Sequence, residues 1–214
     1  MFFISLDHNS CRNGEIKMSS TKALNGFHPS RKRGSGANST GNSRYQIAQG
    51  TNLAMYSGDM MKLTTGGYVT PITTTTDFAI GVLEGIRYVD KTSKQPIWSR
   101  YINSSVSSDD SITYALINDD PATTYVVQAD ASLTLGDLLH NFNVTLGSGS
   151  TVTGQSGFGI KVGSVTTGTA MGKPLALWDT PGNAWGDAYT KVECRIVRHV
   201  DAHQSVTACV VSPE

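Results

Sequence analysis

Three carboxylates fall within the stretch INDDPATTYVVQAD, at Asp119, Asp120 and Asp130. Two acids side by side raise the question of acid/base or metal chemistry, but adjacent strand residues point to opposite faces, which suits a two-carboxylate mechanism poorly. The stretch also lacks the spaced oxygen ligands and glycine turn of a calcium loop. Asp before Pro is a turn initiator, because proline fixes φ while the side chain bonds nearby backbone. Asp119 and Asp120 therefore read as the corner of a β-hairpin between ITYALI and TTYVVQ.

Other chemistry-bearing residues give equally plain readings. Ser156 sits in Gly-Gln-Ser-Gly-Phe, which misses the final glycine of a nucleophile elbow and reads as a glycine-rich bend. A hydrolase would need His140 or His199 within hydrogen-bond reach of it. Cys194, His199, His203 and Cys209 could ligate zinc, but their spacing matches no common finger. Positions 199 and 203 of a straight strand lie about 13 Å apart. No phosphate-binding glycine loop is present. Neither catalytic residues, a cofactor nor a metal site is nominated, and the expectation is a non-enzymatic protein. Trp98, Trp178 and Trp185 could act as stacking platforms, which keeps open a secreted or surface β-barrel that binds carbohydrate.

The elements that must position these residues are short. The chain has 214 residues, 38% hydrophobic and only 16% charged, with 22 glycines, a balance that favours strands and turns. Cys11, Cys194 and Cys209 have no paired spacing and read as free thiols. The opening MFFISLDHNSCRNGEIKM has neither a basic n-region nor a cleavage site, and no apolar run approaches a membrane span, so neither a signal peptide nor a membrane partner is expected. Met18 offers an alternative start, with residues 1–17 as an extension.

From Tyr45 onward, runs of alternating or β-branched residues recur between turn signals, about a dozen in all. MMKLTTGGYVT reads as a two-residue hairpin around Gly66-Gly67. In DFAIGVLEGIRYVD, Ile80 and Val82 are expected to be buried. Only SLTLGDLLHN looks helical, with Leu135, Leu138 and Leu139 at helical spacing and a Thr134/Asp137 capping box. The expected fold is all-β, a barrel or sandwich of ten to twelve short strands with one short helix. The expected organisation is an extended arm over 1–44, a β domain over 45–200 and a tail over 201–214.

Charge divides along the chain although the net charge is zero. Residues 1–44 hold seven basic residues (Arg12, Lys17, Lys22, Arg31, Lys32, Arg33, Arg44) against Asp7 and Glu15, a balance of +5, so the remainder carries −5. HPSRKRGSGANSTGNSR is too polar to bury, so the arm is expected to stay extended until it meets an acidic partner, with Arg31, Lys32, Arg33 and Arg44 as its contacts. The acidic body makes nucleic acid an unlikely partner on this reading.

The succession NGFHPSRKRGSG, RYQIAQGTNLAMYSGDMMKLTTGGYV, FAIGVLEGIRYVD, INDDPATTYVVQAD, TGQSGFGI, KPLALWD and GDAYTKVECRIVRH, over about residues 24–200, resembles small head proteins of tailed bacteriophages, the capsid cement or decoration proteins. The DDP block and the order of blocks carry most of the resemblance. It implies a virion structural protein on the capsid surface, made in a bacterial host, that stabilises the shell by binding the major capsid protein as a homo-oligomer, dimer or trimer.

Overall fold

The computed structural model describes residues 21–34, 41–47, 54–103 and 113–202. It is almost entirely β, with fourteen strands among these residues. They are β1 (His28–Lys32), β2 (Ser43–Gln46), β3 (Met55–Tyr56), β4 (Met60–Leu63), β5 (Val69–Pro71), β6 (Gly81–Val89) and β7 (Pro96–Ser99). The second half of the chain adds β8 (Tyr101–Ile102), β9 (Tyr114–Asn118), β10 (Thr123–Gln128), β11 (Asn141–Thr145), β12 (Gly159–Thr166), β13 (Gly172–Leu177) and β14 (Lys191–Ile196).

They form two sheets that each curl back on themselves. The first runs β2-β9-β6-β4-β5, with β7 attached to β6, and a single bridge from Ile47 to Val69 joins its two ends. The second runs β1-β10-β14-β13-β11-β12, and a bridge from Ala129 to Ile160 joins β12 back to β10. Each is thus a small five-stranded ring, the first built from residues 43–118 and the second from 123–196, with β1 added to the second as its edge. β3 and β8 pair with each other as a separate ribbon.

Inward-facing apolar residues fill both rings. The first holds Ile47, Met55, Met61, Val69, Ile80, Leu83, Ile86 and Ile117. The second holds Tyr125, Val127, Phe142, Val144, Ile160, Val192, Cys194 and Ile196, joined by Phe27 and by Met60, Ile72, Ala79 and Val82 from the first ring. Ile80 and Val82 are both buried as expected, at 4% and 0% exposure, yet they serve different cores. On a regular strand residues two apart share a face. Gly81 breaks that rule with φ +153°, and a Cβ there would fall 2.1 Å from the Asn118 carbonyl oxygen, so only glycine fits. A register shift between Leu83 and Gly85 then keeps Leu83 and Ile86 in the same core.

Four expectations are corrected. The DDP stretch is not a hairpin: β9 lies in the first sheet and β10 in the second, so it is a corner between rings. The Gly66-Gly67 hairpin does form between β4 and β5, but its loop is longer than two residues, closed by Leu63 opposite Val69 and by Thr64 N–H to the Tyr68 carbonyl at 2.8 Å. The helix shrinks to one 3-10 turn over Leu135–Asp137, because Gly136 and the capping contacts allow a turn but offer nothing to propagate it. Asp137 accepts from the Thr134 N–H and hydroxyl at 2.7 and 2.8 Å, as the capping reading expected. Finally, the span assigned to an extended arm over 1–44 contains the strand β1 and the start of β2, so the β body does not begin at residue 45.

Candidate functional site

Three of the four basic residues singled out from the sequence, Arg31, Lys32 and Arg33, lie along the protein's own second ring. β1 pairs antiparallel with β10, with Arg31 opposite Thr124 and Lys32 opposite Thr123. Arg31 donates through Nε and Nη2 to both oxygens of Glu193, at 2.8 and 2.7 Å. Thr124 adds its hydroxyl to Glu193 Oε1 at 2.6 Å. These contacts, Arg31 first, hold the Glu193 carboxyl below its ordinary range against the opposing effect of burial. Lys32 forms an ion pair with Asp120. Arg33 is exposed and is held through its backbone, donating to the Ala122 carbonyl at 2.9 Å, while Arg44 lies exposed on β2. The side chains therefore do not act as one cluster: Arg31 and Lys32 are engaged internally, and Arg44 belongs to the other ring. The apolar anchor ahead of them, Phe27, is 1% exposed in the second core, so the segment is part of the fold.

The corner residues are engaged in the same way. Asp120 accepts from the Ala122 N–H at 2.8 Å, the side-chain turn read from the sequence, and its carboxyl is held low chiefly by Lys32. Asp119 turns the other way and accepts from the Tyr45 hydroxyl at 2.8 Å. Burial, aided by Asp119, pushes the Tyr45 hydroxyl up to about 12. The two carboxylates thus serve different rings, as expected for adjacent residues.

Ser156 is 2% exposed, accepts from the Phe158 N–H at 2.9 Å and bonds the Asp59 carboxylate. Asp59 also accepts from the Tyr56 N–H at 2.8 Å, and its burial raises its carboxyl to about 6. This is a sealed polar contact between the rings, with neither His140 nor His199 among its partners. Asp59 itself was not singled out from the sequence, and only folding brings Ser156 over it.

His199 is 1% exposed at the second seam, where Ala79 N–H reaches the Arg198 carbonyl and Val200 N–H reaches the Ala79 carbonyl, both at 2.9 Å. Its Nδ1 accepts from the Asp201 N–H at 3.1 Å, while Nε2 is buried without a partner. Desolvation lowers its pKa, opposed by Asp201, Asp119 and Asp120. Cys194 is fully buried in the second core, which pushes its thiol far up, and no group of three metal-ligating side chains is assembled among the described residues. His203, Cys209 and Cys11 lie outside the described residues.

The tryptophans do not form a joint platform. Trp98 is 57% exposed and lies over Gly85, where a Cβ would fall 2.7 Å from the indole. Trp178 sits beyond β13 on the other ring, and Trp185 packs against the second core. A cleft of about 330 Å³ is lined by Arg31, Arg33, Thr124, Leu139 and Leu175, among others. No protein-family model, curated protein or solved structure matches this chain.

Proposed function

We propose that the chain is a non-enzymatic structural protein of a tailed-phage head, a cement or decoration protein that binds the capsid exterior and the major capsid protein. The observation that carries the reading is how the polar residues of the resembling blocks are used. Asp119 and Asp120 bind Tyr45, Lys32 and backbone at the corner between rings, and the Asp59 of the GD turn binds Ser156 at the seam. Residues that could have been chemistry are engaged in holding two β rings together, which is the requirement of a rigid module that acts by being attached. Trp98, laid over Gly85, is the one feature that favours the carbohydrate-binding alternative, and it stands apart from the other two indoles.

Mass spectrometry of purified particles tests the proposal. The protein should be abundant in them and should leave under mild chaotrope before the shell protein does. Its absence from particles whose shell protein is plainly present would sink the reading.

A further inference from the structure

We propose that the outer face of the second ring, around β1, β10, β14 and β13, is a docking surface for an acidic protein partner, with Arg195 and Lys173 as its principal contacts. The argument begins with facing. Val192, Cys194 and Ile196 point into the core, so Lys191, Glu193 and Arg195 point outward. Gly172 opposes Ile196 and Lys173 opposes Arg195, which puts Lys173 on the same outer face. Tyr125 opposes Cys194, so Thr124 flanks Arg195, and Arg31 in turn opposes Thr124. Phe142 opposes Gly172, which sets Asn141 beside Lys173. Across five strands the outward row reads Arg31, Thr124, Arg195, Lys173, Asn141. At the usual spacing between strands it spans about 20 Å.

Within that row Arg195 and Lys173 have no carboxylate partner among the described residues. Like charges directly opposite each other in an antiparallel pair are destabilising, and Lys173 with Arg195 is such a pair. Neither makes an ion pair or side-chain hydrogen bond with another described residue, and Arg195 Nε and Asn141 Oδ1 are buried without a partner. The carboxylate on this stretch of the face, Glu193, is already held by Arg31 and Thr124. Local conflicts of this kind are expected at functional sites, and an acidic partner would resolve this one. A second observation lies beside the row. Leu139 is 54% exposed and has φ +63°, a left-handed conformation unusual for leucine, fixed by its N–H to the Pro174 carbonyl at 3.1 Å. With Leu175 it lines the same cleft as Arg31 and Arg33.

Those neighbours select the partner class. Planar guanidinium forks match carboxylates, and aliphatic side chains at the rim bury against a protein surface. Single-stranded nucleic acid would call for aromatic side chains on which bases stack, and this row has none. The proposal deepens the structural-protein reading and rests on it only for the identity of the partner.

The test uses the full chain and two labelled ligands followed by fluorescence anisotropy: a peptide of Glu-Glu-Leu repeats and an oligothymidylate of equal charge. The peptide should bind, and binding should weaken as the Debye length falls from about 10 Å at 0.1 M salt to about 3 Å at 1 M. Lys173→Glu should weaken peptide binding by about tenfold or more, since it places a repulsive charge in the row. The same substitution should raise the melting temperature, because a like-charge pair becomes an ion pair; a misfolded variant would lower it. Peptide binding unchanged by Lys173→Glu, no peptide binding at low salt, or tighter binding of the oligothymidylate would each overturn the proposal. Failure here with the protein present on particles rejects the face; absence from particles rejects the functional reading instead.

Discussion

The two rings are alike in strand number and closure but differ in where their cores come from. The first ring's interior is drawn wholly from residues 45–117, whereas the second ring's interior needs Phe27 and the outward residues Met60, Ile72, Ala79 and Val82 of the first. One core is self-contained in sequence; the other is completed by segments that precede it. The first ring is therefore the scaffold, and the second, with the N-terminal strand, is assembled upon it. The basic segment is part of that assembly: removing it would take away Phe27 and β1 and leave the buried Glu193 without Arg31. A truncation through residue 44 therefore removes part of the fold and not a separate arm.

The largest test of the asymmetry compares one substitution in each core. Phe142→Ala should cost about 3 to 5 kcal/mol and Ile80→Ala about 2 to 4 kcal/mol, from lost burial plus the cavity left behind. Hydrogen exchange by mass spectrometry should show Phe142→Ala loosening 123–196 and the N-terminal strand while 60–117 keeps its protection. Ile80→Ala should loosen both rings, since the second leans on the first. Equal loosening of both by Phe142→Ala would break the comparison.

A smaller effect is expected at the seams, and it depends on pH. Asp59 has a folded pKa of about 6, above its ordinary value, so its contribution is fully present below the unfolded pKa and is lost as pH rises through 6. His199 is shifted downward by burial, so its contribution is present above its ordinary value of 6.5 and is lost as pH falls through the folded pKa. The two seams thus respond to acid with opposite sign. Asp59→Asn should stabilise the protein at pH 7.5 by at most about 3 kcal/mol, given about 1.4 kcal/mol per pKa unit. It should also unmask a steeper loss on acidification owing to His199. Chemical denaturation at pH 5 and 7.5 reads this out, and a variant whose two values keep the wild-type difference would show that Asp59 does not titrate in this range.

The smallest effect is expected at the corner. Asp120→Ala removes a turn contact and a partly exposed ion pair, and should cost about 1 kcal/mol or less. Adding EDTA to the wild type should leave the melting temperature unchanged. A large shift with EDTA would give the corner a chemistry beyond its turn.

Much of this architecture was legible in residue order. The alternation in YVV, FNV and KVECRI marks strands because the pleat has a period of two and one face is buried. Turn chemistry at Asp120 and the capping contacts of Thr134 and Asp137 are local, and both were read correctly because the interacting atoms lie within a few residues of each other. The burial of Ile80 and Val82 followed from their apolar setting, but their division between two cores did not. That depends on a positive φ at Gly81, which is required by the carbonyl of Asn118 arriving from β9.

What only the tertiary structure decided is everything that depends on which strands become neighbours. NDDPA has the same local chemistry in a hairpin and in a corner between sheets, so its turn residues were readable while its topology was not. HPSRK looks like a polar tail until Glu193 is placed beside Arg31 from 162 residues away, because charge composition says nothing about where the compensating carboxylate lies. The conflict between Lys173 and Arg195 is likewise invisible along the chain. Each residue is an ordinary outward cation on its own strand, and only the register of β13 against β14 sets the two charges face to face.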